Sequence, residues 1–174
     1  MSNARYTFSP NQDERPKHCV LDTLVIHCIS LPPGEFGGSS IEDLFMNRLT
    51  IQAHPFYAML KGLKVSAHLL IQRNGEIIQF VPFHKRAWHA GVSEFLGRTQ
   101  CNDFSIGIEL EGTDSSPFEI AQYESLIACT LAICKSYNKI TKDRIVGHSE
   151  VAPGRKTDPG PFFNWDFFKN HLNL

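Results

Sequence analysis

The chain predicts an α/β or α+β sandwich, in which β-strands are flanked by helices. Three observations carry that reading. Thr23–Ile29, "TLVIHCI", is a short apolar run rich in β-branched residues and bounded by polar segments, the pattern of a buried strand. The pair Asn74-Gly75 lies between two apolar stretches, His68–Gln72 and Glu76–Val81, which is the signal of a hairpin turning through two φ > 0 residues. From Ser116 the spacing changes to the helical period. Strands and helices alternating with an antiparallel hairpin call for layered packing around one core. At 174 residues, 1–174 reads as a single domain, with no linker or repeat to divide it.

Residues 1–20 are polar and read as an extended arm. After the Thr23–Ile29 strand, "SLPPGEFGGSS" is a loop. Ser40 with Asp43 three residues on resembles a helix start, and Ile41, Leu44, Phe45 and Leu49 supply its apolar stripe. In "DFSIGIELEG" the apolar Phe104, Ile106, Ile108 and Leu110 alternate with Ser105, Gly107, Glu109 and Glu111, so a strand with one apolar face is expected. Ser116 as N-cap, Pro117 at the first helical position and Glu119 closing a capping box predict a long helix to about Tyr137. Its inward stripe is Ile120, Tyr123, Ile127 and Leu131, flanked by Leu126 and Cys134. Arg144–His148 is a short strand entering the stiff loop "GHSEVAPGRKTDPGPFFNW", and Asn164 caps a last helix to about Leu172.

Composition excludes more than it selects. A formal net charge of -1 offers no electrostatic argument for nucleic acid or a membrane surface. No secretory signal, lipidation motif or apolar span is visible. The five cysteines are odd in number and form no C-x-x-C pair, which argues for free thiols and a reducing, cytoplasmic location.

The chemistry-bearing candidates sit at strand ends and in the stiff loop. His27 ends an apolar strand, and His148 follows Gly147 into the loop. Rigidly placed neutral imidazoles are suited to a metal. A catalytic zinc commonly takes three protein ligands, and Asp158, held beside Pro159-Gly160-Pro161, is the best third candidate. The spacing matches no short zinc motif, and an Asp-Pro turn explains Asp158 equally well. Glu109 and Glu111 project from the same strand face, and either one could act as a general base on water activated by the metal. Periodicity does not choose between them. Lys156 could stabilise an oxyanion, although a surface lysine is the plainer reading. Trp88 is suited to packing on a sugar face. Cys28 faces the opposite way from His27 and is discounted as a nucleophile.

Taken together, "VIHCISLPPGEFGG", "QAHPF", "VSAHLLIQRNGEIIQFVPF", "KRAWHAGVS", "CNDFSIGIELEGTD" and "GHSEVAPGRKTDPGP" resemble, in order from about residue 20 to residue 168, the AmpD family. These are bacterial cytoplasmic 1,6-anhydro-N-acetylmuramoyl-L-alanine amidases of cell-wall recycling, related to phage lysozyme-type amidases and peptidoglycan recognition proteins. The resemblance implies a mixed central β-sheet flanked by helices. It implies one Zn²⁺ on His27, His148 and Asp158, with Glu109 rather than Glu111 as the catalytic carboxylate and Lys156 assisting. The substrate would be an anhydro-muropeptide cleaved between the lactyl group and L-alanine, by a monomer. Loss of such an enzyme lets muropeptides accumulate and signal β-lactamase induction. The chain departs from the family's "VHNIS", "RVSAH" and "GRERCND" at Cys28, Lys64, Thr99 and Gln100. Trp88, Lys64, Gln100 and Cys28 are therefore the candidate substrate contacts. The alternatives are a non-catalytic muropeptide-binding protein on the same fold and a globular interaction protein whose polar residues only build turns.

Overall fold

The computed structural model describes residues 4–174. The arm contributes β1 (Arg5–Tyr6) and β2 (Gln12–Glu14), followed by β3 (Thr23–Ile29) and the short helix α1 (Ser40–Phe45). Two 3-10 segments, Ile51–Ala53 and Pro55–Leu60, lead to the hairpin strands β4 (Leu69–Ile71) and β5 (Ile77–Gln79). Next come β6 (Lys85–Ala87), β7 (Glu94–Phe95), β8 (Arg98–Thr99) and β9 (Ser105–Glu111). The long helix α2 (Ile120–Ser136), β10 (Ile145–Gly147), α3 (His148–Val151) and α4 (Trp165–Asn170) complete the chain.

A six-stranded sheet of order β1-β5-β4-β9-β3-β10 forms the centre. β4, β9, β3 and β10 run parallel, and β5 turns back antiparallel to β4, so the sheet is mixed as expected. One face packs on α2 and α4: Leu24, Ile26, Leu69, Ile106 and Ile108 meet Leu126, Ile133 and Phe168. All of these side chains are fully or almost fully buried, and truncating one of the large aliphatics to alanine removes about 2–5 kcal/mol of stability.

The expected arm is extended and anchored. Arg5 and Tyr6 pair in parallel with Ile78 and Gln79, and β2 pairs antiparallel with β6. Residues 1–3 lie outside the described residues. The Arg15 guanidinium is held by the carbonyls of Phe83 (3.1 Å), Asn102 (2.9 Å), Asp103 (2.8 Å) and Ser105 (3.0 Å).

Four local expectations are corrected. In the hairpin only Gly75 has positive φ (84°), and Asn74 does not. Gly75 N donates to Gln72 O and Gln72 N to Glu76 O, so the turn is a three-residue loop ending on an αL glycine rather than a two-residue one. α1 stops at Phe45, short of Leu49. α2 begins at Ile120 with Glu119 as N-cap and Gln122 closing the capping box, so Ser116 and Pro117 belong to the preceding loop, where Ser116 Oγ bonds Thr113 Oγ1. This later start rotates the inward stripe onto Tyr123, Leu126, Cys129, Thr130 and Ile133, and leaves Ile120 60% exposed. Finally, His148 opens a one-turn helix rather than a loop, because Gly147 serves as its N-cap and donates its N–H to Glu150 Oε2.

Candidate metal centre

Parallel strands bring the C-terminal ends of β10, β3 and β9 to one edge of the sheet, the usual place for a site in such sheets. Register then sets the neighbours. His27 lies opposite Glu109 across the β3–β9 ladder, and Gly147 opposite Ile26, so His148 emerges beside His27. β9 presents Gly107, Glu109 and Glu111 on the side away from α2. His89, in the loop after β6, covers that face at Ser105 and Gly107, and the loops carrying Gly37 and Arg73 cover it at Glu111, which is why these positions are buried despite the alternating pattern.

Asp158 is brought in by the last loop, where its carbonyl oxygen accepts from Ser149 N at 3.0 Å. The result is a triangle of three donor atoms. His27 Nδ1 lies 2.9 Å from His148 Nδ1 and 3.2 Å from Asp158 Oδ2, and His148 Nδ1 lies 3.0 Å from Asp158 Oδ2. Tetrahedral ligands held about 2.0–2.1 Å from a zinc ion are spaced at close to this separation. The chemistry of the donors fits a cation too. With its proton on Nε2, facing the Ala90 carbonyl at 3.1 Å, His148 offers an Nδ1 lone pair. A lone pair, a second imidazole nitrogen and a carboxylate converging on one point suit a positive centre between them. Burial, with a smaller contribution from positive charge nearby, keeps the His27 imidazole neutral, its pKa lowered to about 4.

Glu109 and Glu111 separate here. The Glu111 carboxylate accepts from Gly37 N at 2.5 Å and Arg73 N at 3.0 Å, so it braces two loops. Glu109 Oε2 is buried without a hydrogen-bond partner among the described residues. Burial first, then the Asp158 charge, pushes the Glu109 carboxyl well above its ordinary range, with Lys156 opposing.

A cavity of about 290 Å³ opens onto these groups. Glu109, His148, Lys156 and Asp158 form its polar side, while Leu44, Phe56, Leu60, Val65 and Trp88 form an apolar wall. Trp88 and Cys28 both line it. Cys28 also packs against the α2-side core, and burial raises its thiol pKa, so it is a wall residue rather than a thiolate. Lys64 is exposed and lines the adjoining groove with Leu49 and Leu63. Gln100 is exposed on a left-handed turn (φ 59°) and lines none of these spaces. The apolar wall and Arg155 receive no role from the motifs. Arg155 Nη2 donates to Ala90 O at 2.6 Å and Val92 O at 2.7 Å, drawing the 90–92 segment over His148. Its place directly before Lys156 in "GRKTD" is the one signal for it in the sequence.

The N-acetylmuramoyl-L-alanine amidase family model matches residues 17–161. The chain is 56% identical over 166 residues to the 1,6-anhydro-N-acetylmuramyl-L-alanine amidase AmpD of Escherichia coli (strain K12), covering 95% of this chain and 90% of that protein. A crystal structure of a selenomethionine AmpD derivative superposes with a TM-score of 0.96 at 52% identity, covering 99% of this chain and 96% of the other. The E. coli amidase AmiD, in complex with anhydro-N-acetylmuramic acid-L-Ala-D-gamma-Glu-L-Lys, superposes with a TM-score of 0.64 at 33% identity, covering 91% of this chain and 60% of that one. The chain belongs to the N-acetylmuramoyl-L-alanine amidase family.

Proposed function

We propose that this chain is a zinc-dependent amidase of peptidoglycan recycling. It hydrolyses the amide between the lactyl group of 1,6-anhydro-N-acetylmuramic acid and L-alanine in muropeptides. The observation that carries this reading is the donor triangle of His27, His148 and Asp158 beside the unpartnered Glu109 carboxylate. Those three residues would hold one Zn²⁺, which when bound supplies Lewis-acid activation of water and of the scissile carbonyl.

The chain's own groups do the rest. The apolar wall, with Trp88, packs on the sugar and excludes water from the polar side. Glu109, whose carboxyl burial holds well above its ordinary range, takes a proton from the attacking water. The tetrahedral oxyanion that forms at the former carbonyl lies within the field of the Lys156 ammonium. As the C–N bond breaks, Glu109 returns the proton to the alanine nitrogen, releasing a free peptide and the anhydro sugar acid.

The proposal includes a monomer acting in the cytoplasm. Five free cysteines suit a reducing compartment, and among the described residues no helix is long and apolar enough to cross a membrane.

The test is incubation with anhydro-muropeptide and with intact peptidoglycan, each with and without a chelator, followed by mass analysis. The expected result is release of peptide from the muropeptide, abolished by chelation and restored by Zn²⁺. An intact muropeptide after incubation with the zinc-loaded protein would overturn the proposal.

A further inference from the structure

Both histidines of the triangle turn their outer ring nitrogens to one short segment, Trp88–Ala90. His27 Nε2 lies 2.9 Å from His89 Nδ1, and His148 Nε2 lies 3.1 Å from Ala90 O. The segment is itself clamped. Asn102 Oδ1 accepts from His89 N at 3.1 Å and from Ala90 N at 2.8 Å, and Trp88 N donates to Ser66 Oγ at 3.1 Å.

The buried His89 ring rests on the backbone of β9 at Gly107. A Cβ added there would fall 2.5 Å from both His89 Cγ and Nδ1, so only glycine admits the ring. On the far side His89 Nε2 lies 3.3 Å from Ser105 Oγ, which lies 2.5 Å from the Cys101 carbonyl oxygen.

The proton arrangement follows from the end of this chain. The Cys101 carbonyl only accepts, so the Ser105 hydroxyl donates to it and takes a hydrogen bond from His89 Nε2–H. His89 Nδ1 is then bare and accepts from His27 Nε2–H. That leaves the His27 Nδ1 lone pair facing His148 and Asp158. Outer hydrogen bonds of this kind set the tautomer and orientation of a metal-ligating imidazole.

We propose that His89 is a positioning residue for the metal centre, with its ring height set by Gly107 and its tautomer by Ser105, and that it fixes which nitrogen of His27 meets the metal. The inference rests on His27, His148 and Asp158 being the ligand set.

The test measures Zn²⁺ affinity of the full-length metal-free protein by competition with a chromophoric chelator, together with kcat and KM on anhydro-muropeptide. His89→Ala is expected to weaken zinc binding about 10–100-fold and to lower kcat with little change in KM. His89→Asn, whose side-chain oxygen occupies the place of Nδ1 and accepts from His27, is expected to recover part of that affinity. Zinc affinity within about twofold of wild type in folded His89→Ala overturns the proposal, as does equal weakening in both variants, which would assign the loss to packing. His148→Ala separates the two readings: if it also binds zinc like wild type, the ligand assignment fails instead. Should His89→Ala not fold, long-range ¹H–¹⁵N spectra of the zinc-loaded wild type decide. A proton on His89 Nε2 supports the proposal and a proton on Nδ1 overturns it.

Discussion

The C-terminal end of β9 holds two glutamates on one face, in neighbourhoods that differ completely. Around Glu111, two loops turn backbone N–H groups inward, and the carboxylate satisfies both. Around Glu109, the neighbours are the donor triangle and the cavity, and one carboxylate oxygen has no partner among the described residues. A buried carboxylate that accepts backbone hydrogen bonds is tied up in holding loops together. One left without them keeps its lone pairs and a raised pKa, and so remains able to exchange a proton. Identical side chains two positions apart are thus left in different states, and the cause lies in what the surrounding chain offers them.

The largest expected effect breaks this comparison most directly. Glu109→Gln should lower kcat about 10²–10⁴-fold without loss of thermal stability, since the change removes a buried unpartnered carboxylate. Wild-type turnover in this variant, measured on anhydro-muropeptide, would put the two glutamates on the same footing. Glu111→Gln should show the reverse. One of the two N–H groups loses its acceptor, so denaturant unfolding should reveal a loss of about 1–3 kcal/mol, while turnover per folded molecule stays close to wild type.

The pH dependence sharpens the contrast. The Glu109 carboxyl is raised well above its ordinary 4.5 by burial, so the folded state holds the proton where the unfolded chain has released it. The Glu109 contribution to the stability of the metal-free protein therefore falls as pH rises from 4.5 through the raised value, by at most about 1.4 kcal/mol per pH unit. Glu109→Gln should flatten this decline in urea midpoints measured across pH in the presence of chelator. A decline of unchanged steepness would count against an unpartnered carboxylate at this position.

His68 supplies a control of opposite sign. It is buried and, like Glu111, bonded to backbone: its Nδ1 accepts from Gly107 N at 3.0 Å. Burial, reinforced by the Arg15 charge, lowers its pKa from 6.5 to about 3. Between those values the unfolded state binds the extra proton, so this group makes stability rise with pH and lose ground in acid. His68→Gln should reduce the rise between pH 3 and 6.5, and a slope identical to wild type would show that His68 titrates alike in both states.

Much of this was legible in the residues. The apolar β-branched run placed β3 at Thr23–Ile29 to the residue, Asn164 capped the last helix, and the ordered motifs pointed to the family. His27, His148 and Asp158 were candidates as imidazoles at strand ends and a carboxylate beside prolines, but an Asp-Pro turn accounts for Asp158 equally well, and only the family motifs raised the set above that reading. Local pattern misplaced the start of α2, since Ser116-Pro117 and Glu119 offer competing caps and only packing against the sheet selects the second. It also could not rank Glu109 against Glu111, because alternation reports which face a side chain takes and nothing about what covers that face.

The sequence by itself determined which elements form and which residue types are available, since periodicity, capping and turn chemistry act over a few neighbouring positions. Only the tertiary structure decided which of those residues meet. Parallel register set His27 against Glu109, Gly107 made room for His89, and two loop N–H groups claimed Glu111 and left Glu109 unclaimed. Contacts between distant segments depend on strand order and on the desolvation each group undergoes, quantities with no local signature in the chain.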